Sequence, residues 1–497
     1  MKNILYISKK VLGIILMTVI ISSCQSKIDE LRPDPNAVND VDDAGLFVNA
    51  ARSLFLETKN ESVHRFSGQH AHYFVGGGDL RKPDLYGDGF DVHYNIMLSE
   101  IYSGYVYGGI ITNIQEVLEL TSSGEYENKV RHAMADVIAV MGFAVLTDEF
   151  GDIPYTEGGK GKLEGILTPK YDSQEYIYKD FIKRLGENIE VLKTLNADNG
   201  YFESDFIFNN DSDKWVRFAN SVRMRMAMRI RNADETLSRE TVKKCLSEPL
   251  MEDTTHDAFM IQTEYDTNSW YALVDGTPKI KMSDMFVSQL KNTGDPRLKV
   301  FIAKSKYGQY IGQLNGLTDE EFGKSFFSLK SAMGKTLASP ESKMYIMTAA
   351  ETWLLRAEAA LAYSTGEDAN SNYRKGIETS MQQWNISASE INSFLATSTA
   401  DLSDPEDDES QIGTQLWIAL TPDYFQGWCS IRRSGYPVIE QRTDPKLAPG
   451  VTDGYVPERF KYSSFELSSN GVNVQEAIDR QGPNSISTPL WWSKRKK

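Results

Sequence analysis

The sequence predicts a mostly α-helical fold. Along most of the chain after residue 43, apolar residues recur at the spacing that places them on one face of a helix. Alanines occupy close-approach positions in successive pairs of these segments, which favours stacked, tetratricopeptide-like helical hairpins. No fixed period of about 34 residues is visible, so an irregular helical bundle is the alternative. Turn signals in the middle of the chain predict a more irregular half with short hairpins.

The N-terminal residues have the pattern of a secretory signal. Three lysines precede an apolar run at residues 11–21, and the small pair Ser22-Ser23 stands directly before Cys24. The run is too short for a membrane-spanning helix, which needs roughly 17–25 residues. A cysteine directly after a small pair is typical of a bacterial lipoprotein signal. We therefore expect removal of residues 1–23 and lipidation of Cys24; ordinary cleavage and an uncleaved anchor are weaker alternatives.

The segment after the signal predicts a tether followed by one domain. Residues 24–43 are polar and contain Pro33 and Pro35, a composition typical of flexible linkers. Residues 44–497 are expected to form a single globular domain that carries the ligand site. We expect no further stretch of this sequence to be long and apolar enough to span a membrane.

Charge and cysteine content exclude several classes of protein. The 53 basic and 69 acidic residues give a formal net charge of −16, and such a surface repels nucleic-acid phosphates. Besides Cys24, only Cys245 and Cys429 are present, too few for a disulfide scaffold or a cysteine-rich metal site. The sequence leaves two alternatives: one disulfide between Cys245 and Cys429, or two buried free thiols.

The first half of the chain alternates between helical patterns and a glycine-rich segment. Residues 64–95 are rich in aromatic, histidine and glycine residues, and we interpret them as loops and turns. Residues 137–146 are all apolar, as in a helix deep in a core. Helices are predicted at residues 44–56, 96–120, 130–146, 173–195 and 213–231.

The second half begins with a mixed region and then returns to helices. Asp275-Gly276 and Asn315-Gly316 are turn signals that predict hairpins in the region 235–343. The tail from residue 456 is interpreted as extended and polar. Helices are predicted at residues 344–362, 370–383, 387–396, 411–420 and 424–433.

Several segments, in a consistent order, resemble one family. Each motif is short, but together they extend over nearly the whole chain, and only residues 456–462 depart clearly from the pattern. The chain resembles the SusD/RagB nutrient-binding outer-membrane lipoproteins, second subgroup, at Cys24, Asp34-Pro35-Asn36, Phe150-Gly151-Asp152-Ile153-Pro154-Tyr155, Trp215 with Asn220 and Arg225, Asp295-Pro296-Arg297-Leu298, Arg356-Ala357-Glu358-Ala359, Gln415-Leu416-Trp417 and Arg432-Arg433-Ser434-Gly435-Tyr436-Pro437.

The resemblance implies a fold, a location and a partner. It implies tetratricopeptide-like units, a lipid anchor, and a position on the outer face of the outer membrane. It also implies a TonB-dependent transporter of the SusC type, on which the protein sits as a hinged lid. Such proteins capture an oligosaccharide, or in some members a peptide, and are binders rather than enzymes.

Candidate ligand residues follow from the chemistry of sugar recognition. Aromatic faces cover the C–H patches of a sugar, and amides, carboxylates and arginines hydrogen-bond its hydroxyls. Most such tyrosines could equally be core residues. The candidates are Tyr73, Arg81, Asp84, Tyr86, Tyr94, Asn95, Tyr102 and Tyr105, and in the middle region Tyr265, Asn268 and Trp270.

Metal and cofactor chemistry find little support in the sequence. His64, His70, His72 and His93 could gather around a metal, but no zinc motif accompanies them, so no metal and no cofactor are predicted. A surface glycoside hydrolase is one alternative function, although no pattern selects a pair of acids. A helical-repeat adhesin is another.

Overall fold

The computed structural model of the chain describes residues 42–57, 61–87, 107–261, 269–274, 276–444 and 446–493. Residues Asp43–Lys497 group into one unit by their internal contacts. The predicted signal peptide, Cys24 and nearly all of the predicted tether lie outside the described residues. The domain boundaries at residues 23 and 43 therefore stay predictions.

Helices form most of the described secondary structure, which confirms the mostly α-helical class. The short 3₁₀ helices are Gly78–Leu85, Phe202–Ser204, Phe327–Leu329, Ser398–Ala400 and Gly450–Thr452. The α-helices in chain order are α1 Asp43–Glu57, α2 Glu61–His70, α3 Thr112–Ser122, α4 Lys129–Phe150, α5 Gly161–Glu164, α6 Gln174–Leu192, α7 Ser212–Arg229, α8 Glu235–Leu246, α9 Ser269–Val274, α10 Asp284–Asn292, α11 Leu298–Phe301, α12 Asp319–Lys324, α13 Lys335–Ala338, α14 Ala349–Tyr363, α15 Ala369–Gln383, α16 Ala388–Leu395, α17 Asp408–Ala419, α18 Tyr424–Ser434, α19 Ser464–Ser469 and α20 Gly471–Gln481.

Successive helices pack side by side, as the tetratricopeptide-like prediction requires. Helix α14 packs against α15, and α6 packs against both α4 and α7. In the first pair Gly376 of α15 faces Leu354 of α14, and a Cβ atom at residue 376 would lie 2.6 Å from Leu354 Cγ. The glycine therefore allows the two helices to approach closely.

Helix α4 is the apolar centre of the fold. The Asn128 side chain caps its start by accepting hydrogen bonds from the backbone N–H groups of Val130 and Arg131, at 3.0 and 3.1 Å. The helix ends at Gly151, which has φ +87°. It is long and apolar enough to cross a membrane, contrary to our expectation for the sequence, but 89% of its most apolar window is buried inside the protein. We therefore interpret it as a core helix.

Helix α7 carries the tryptophan–asparagine–arginine motif. Trp215 is fully buried, and its indole N–H donates to the Asp205 carboxylate at 2.7 Å. Arg225 forms a buried bidentate pair with Glu351 at 2.6 Å, which joins α7 to α14. The Asn220 amide donates to the Cys245 carbonyl at 2.9 Å and so fixes the end of α8. The motif is part of the scaffold.

In the part of the chain that the structure describes, four short strands form two small antiparallel sheets. Strand β1 (Phe74–Gly76) pairs with β3 (Ile280–Met282), and β2 (Ala258–Ile261) pairs with β4 (Lys343–Met347). The predicted hairpins differ from these pairings, because each described strand pairs with one far away in sequence. Sequence-distant pairing leaves no local turn signal by which it could be predicted.

Three segments differ from the predicted elements. Strand β4 occupies the start of the helix predicted at residues 344–362; Thr348 then caps α14 by accepting from the Glu351 N–H at 3.2 Å. Residues 64–70 of helix α2 lie in the segment 64–95 that is predicted as loops. The tail predicted as extended contains α19 and α20, because Ser463 caps the first of them and Val474 and Ala477 bury one face of the second.

Both cysteines of the described chain are buried free thiols. Cys245 lies at the end of α8, and Cys429 lies in α18 with its sulfur 3.0 Å from Arg432 Nη2. Burial raises the pKa of both thiols, to about 12 for Cys245. The structure therefore selects the free-thiol alternative.

Candidate functional site

The predicted ligand residues divide into three groups in the structure. Arg81, Asp84 and Tyr86 lie together in and after the 3₁₀ helix Gly78–Leu85. Tyr73 and Trp270 lie in the core. Tyr94, Asn95, Tyr102, Tyr105, Tyr265 and Asn268 lie outside the described residues, so their roles stay predictions.

Tyr73 and Trp270 form part of an aromatic cluster around Tyr424. The Tyr73 hydroxyl donates to the Trp417 carbonyl at 2.6 Å, and its ring centroid lies 4.8 Å from that of Tyr424. The Trp270 ring lies 5.2 Å from Phe74 and 5.5 Å from Tyr424. Both side chains are buried, so neither presents a ring face to solvent in this structure. Their surroundings favour the core alternative.

Asp84 connects three segments that are distant in sequence. Its buried carboxylate accepts hydrogen bonds from the Asn315 amide at 2.7 Å and from the Gly316 N–H at 2.6 Å. The Arg442 guanidinium forms an ion pair with it at 3.4 Å. The loops at 313–319 and 441–455 are thereby fixed to the 3₁₀ helix Gly78–Leu85.

Arg442 lies at the centre of the same cluster. Its guanidinium stacks 3.5 Å from the centroid of the Tyr86 ring and donates to the Asp84 carbonyl at 2.5 Å. It also contacts His72 Nε2 at 3.3 Å, and the Tyr86 hydroxyl lies 3.0 Å from that nitrogen. We call Asp84, Tyr86, Asn315, Arg442 and His72 the polar floor.

Burial determines the charge state of two groups in the polar floor. Burial first, and then Arg442, lower the pKa of His72 well below its usual value, so its ring is neutral near pH 7. Burial raises the pKa of Tyr86 to about 12, although Arg442 opposes the shift. The polar floor therefore keeps its hydrogen bonds across the physiological pH range.

Arg81 ties a further helix to the same region. It donates to the Leu317 carbonyl at 2.5 Å and forms an ion pair with Asp319, at the start of α12. Its guanidinium also lies 4.5 Å from the centroid of the Phe322 ring. Since Arg81 is buried and these contacts are internal, its role in this structure is to hold α12 in place.

Exposed apolar side chains stand on the loops that the polar floor joins. Leu314 precedes Asn315 and is 55% exposed. Tyr455 is 60% exposed, and it follows Gly454, whose carbonyl accepts from the Arg442 N–H at 3.1 Å. Val451 is 44% exposed, and its N–H donates to the Tyr86 carbonyl at 3.1 Å. We call these three side chains with the polar floor the loop platform.

Sequence reasoning missed most of the loop platform. The sequence marks Asn315-Gly316 only as a turn, and it does not single out Arg442, Val451 or Tyr455. A proline- and glycine-rich stretch around residues 449–454 is the one local signal in that loop. The contacts to Asp84 and Tyr86 bridge more than 200 positions, so no local pattern contains them.

The histidines that the structure describes do not gather as a metal site would require. Within the described residues, no group of three His, Cys, Asp or Glu side chains could hold a metal ion. His70 packs between Trp428 and Tyr86, with ring centroids 5.3 and 5.8 Å away. Burial lowers the pKa of His70 to about 3. His93 and the His64 side chain are outside the described part.

Two adjacent acids, Asp148 and Glu149, lie at the end of α4. Asp148 accepts from the Tyr178 hydroxyl at 2.5 Å and from the Trp492 indole at 2.8 Å. Neither oxygen of the Glu149 side chain has a hydrogen-bond partner in the described structure. Burial raises the pKa of Glu149 well above its usual value, and the neighbouring Asp148 adds to the shift. Since both carboxyls are buried, an external substrate does not reach them here.

Comparison with known proteins finds similarity to binding proteins that associate with the outer membrane. A family model, SusD-like, described as "starch-binding associating with outer membrane", matches residues 35–463. No curated protein matches the chain. The match spans helices α1 to α18 and every residue of the loop platform.

Solved structures share the fold over nearly their whole length. A chitin-binding protein is 26% identical, with 91% of this chain and 100% of that chain covered and a TM-score of 0.79. A SusD homologue from Bacteroides uniformis is 24% identical, with 90% and 99% covered and a TM-score of 0.75. A chitin-binding SusD homologue from Flavobacterium johnsoniae is 22% identical, with 90% and 99% covered and a TM-score of 0.78. The last two show similarity of fold alone.

Proposed function

This chain belongs to the SusD-like family, and we propose that it is a cell-surface lipoprotein that captures an oligosaccharide and delivers it to an outer-membrane transporter. The family match over residues 35–463 is the observation that carries the proposal. The 26% identical relative is a chitin-binding protein, so chito-oligosaccharides are the first ligands to test. A peptide is the other ligand class that the family resemblance implies.

The loop platform supplies the chemistry that sugar binding needs. The exposed ring of Tyr455 and the side chains of Leu314 and Val451 offer apolar faces on which the C–H side of a sugar can rest. The polar floor holds the two loops and the 3₁₀ helix Gly78–Leu85 in a fixed arrangement, which reduces the conformational entropy lost on binding. Asp84 and Tyr86 then act by positioning the loops, and Arg81 holds the adjoining helix α12.

The predicted contacts outside the described part remain in the proposal. Residues 88–106 follow Tyr86 and Gly87 directly in the sequence. We propose that Tyr94, Asn95, Tyr102 and Tyr105 add ring faces and an amide to the same site. Tyr265 and Asn268 are proposed as a second set, because they precede α9.

Binding without catalysis is the activity that we propose. Hydrolysis of a glycosidic bond needs two carboxyls about 5–10 Å apart that flank the bond, one of them with a raised pKa. Glu149 has a raised pKa, but it is buried beside Asp148 in the core. Within the described residues, the acid of the loop platform is Asp84. Its carboxylate already accepts hydrogen bonds from Asn315 and Gly316 and forms an ion pair with Arg442.

The membrane location and the partner complete the proposal. Lipidation of Cys24 would hold the protein at the outer membrane, and residues 25–43 would leave the body free to move. A TonB-dependent transporter of the SusC type is the proposed partner, with this protein as its hinged lid. Co-purification of a large outer-membrane barrel with the detergent-extracted full chain tests that association.

A pair of tyrosine variants tests the site. Tyr455 and Tyr307 are both 60% exposed, but Tyr307 stands on another loop and forms no hydrogen bond with the polar floor. Loss of one sugar-stacking ring should weaken binding by roughly tenfold, which corresponds to about 1.4 kcal/mol. We expect Tyr455→Ala to weaken chito-oligosaccharide binding by that factor in calorimetry, whereas Tyr307→Ala should bind like the unmodified protein. Equal affinities for the two variants would refute the assignment of the loop platform.

A further inference from the structure

Helices α6, α7 and α8 enclose a groove that shares no residue with the loop platform. Its volume is about 410 Å³. Four cationic side chains line it, from Arg223, Lys179, Lys183 and Lys244, together with three glutamates. An excess of cations is notable in a protein with a net charge of −16.

Arg223 is a guanidinium without a partner in the described structure. It forms no hydrogen bond and no ion pair there, and its Nε atom is buried and unsatisfied. The other arginines of the α7 region are engaged: Arg217 with Asp213 and Glu252, Arg225 with Glu351, Arg229 with Asp148, and Arg231 with Glu358 and Glu409. A half-buried cation left unpaired is unfavourable unless something else supplies the acceptor.

The helix opposite makes room for this guanidinium. Gly186 lies inside α6, where glycine is less favourable than alanine by roughly 1 kcal/mol. A Cβ atom at residue 186 would lie 2.7 Å from Arg223 Nη2 and 2.9 Å from its Cζ. The guanidinium therefore lies directly against the α6 backbone, and the glycine keeps it at the groove.

Most other charged side chains of the groove are paired, so Arg223 and Lys244 remain available to bind an anion. Lys179 is held by Glu175 at 2.6 Å, and the Glu190 carboxylate is held by Lys193 at 2.9 Å. Lys183 and Glu187 form a loose pair at 3.9 Å. Lys244 is exposed and forms no ion pair in the described structure. Glu240 is the remaining acid of the groove. Because Arg223 and Lys244 together carry two positive charges, an excess of positive charge remains beside Arg223.

We propose that this groove binds an oxyanion, with Arg223 as the bidentate donor and Lys244 as a second cation. A planar guanidinium matches the two oxygens of a carboxylate or a phosphate, and such charge-assisted pairs are stronger than neutral ones. The oxyanion could be the carboxylate of a sugar acid or a free inorganic phosphate. The site is independent of the proposed neutral-glycan site, because different elements line it.

Calorimetry on the detergent-extracted full chain tests the groove with three probes. Inorganic phosphate and galacturonate are the oxyanions, and galactose is the neutral control. We expect saturable binding of at least one oxyanion, none of galactose at this site, and at least about tenfold weaker oxyanion binding in Arg223→Gln. Arg217→Gln, on the same helix but at an already paired arginine, is the matched control and should bind normally.

The outcomes separate the ligand sources and can overturn the proposal. Tighter galacturonate binding identifies a sugar acid, and tighter phosphate binding identifies the free ion. Should Arg223→Gln fail to show the thermal unfolding transition of the unmodified protein, Lys244→Gln at the exposed rim provides the same readout. Absence of saturable binding of both oxyanions, or equal losses in the Arg223 and Arg217 variants, contradicts the proposal. Chito-oligosaccharide binding is measured on the same variants and should not change.

Discussion

Asp84 is the residue on which the loop platform depends. It is buried and faces Arg442, which is itself 5% exposed, so removal of the carboxylate leaves a buried cation without its partner. We expect Asp84→Ala to lower the free energy of unfolding by about 3–5 kcal/mol, the usual cost of breaking a buried pair. Urea denaturation measures this difference.

Asp319 provides the matched control for that prediction. It also pairs with an arginine, Arg81, but its side chain is 94% exposed. An exposed partner contributes about 0–1 kcal/mol, because water and salt screen its charge. Asp319→Ala should therefore change the unfolding free energy little, and a loss as large as that of Asp84→Ala would contradict the burial argument.

Glu149 gives stability a dependence on pH. Burial raises its pKa in the folded state above the unfolded value near 4.5, so the folded protein holds a proton that the unfolded chain releases. Glu149 therefore lowers the free energy of unfolding. This effect is absent below pH 4.5, grows as the pH rises towards the pKa of the folded state, and is complete above that pKa. Each unit of pKa elevation corresponds to about 1.4 kcal/mol.

The neutral variant Glu149→Gln should remove that dependence. We expect it to be more stable than the unmodified protein at pH 7.5 by about 1 kcal/mol or more, and to differ less at pH 4. Thermal unfolding at the two pH values measures the difference. A variant that is less stable at pH 7.5 would show that the ionised carboxylate stabilises the fold.

Residue type alone did not identify which aromatic side chains face solvent. Tyr73 and Tyr455 are the same residue type, yet Tyr73 is buried against Trp417 and Tyr455 is 60% exposed. Their difference arises from contacts between segments hundreds of residues apart. The sequence singles out Arg81, Asp84 and Tyr86 as candidate ligand residues, and that role stays a prediction; it does not single out Arg442 or Tyr455.

At the level of elements, the close contact between α14 and α15 depends on Gly376. A methyl group there would lie 2.6 Å from Leu354 Cγ, so the helices must move apart or the leucine must change rotamer. We expect Gly376→Ala to destabilise the protein by about 1–3 kcal/mol. Chemical denaturation with circular dichroism detects the loss.

Gly323, in helix α12, is the control for that substitution. An added Cβ there meets no atom within 4 Å. Gly323→Ala should be neutral or stabilise the protein by up to about 1 kcal/mol, since alanine is the better helix former. Equal destabilisation in both variants would show that the close contact between α14 and α15 is not the cause.

The periodicity of apolar residues predicts those helices whose buried face can be recognised from their own sequence, whatever element they pack against. Helices α4 and α7 were recognisable because their apolar residues alone define a buried face. The sequence predicts residues 344–347 as the start of a helix because a short apolar run suits either structure, and pairing of Lys343–Met347 with Ala258–Ile261 decides for a strand. Such pairing is a property of the folded chain and has no local signal.

For the whole molecule, the proposed anchor makes a separate prediction. Cys24→Ser removes the thiol that a diacylglycerol would modify, so lipid labelling of the protein in cells should be lost. The body should still fold, because the described unit starts at Asp43. Metabolic labelling with a fatty-acid analogue measures this, and unchanged labelling of the variant would contradict the lipoprotein assignment.

We propose that this protein captures a glycan at its surface without cleaving it. Calorimetric titration of the detergent-extracted full chain with chito-oligosaccharides, maltooligosaccharides and peptides, followed by an assay for new reducing ends, tests it most directly. We expect saturable binding of at least one oligosaccharide and no new reducing ends. Cleavage at enzymatic rates, or binding of peptides alone, would contradict it.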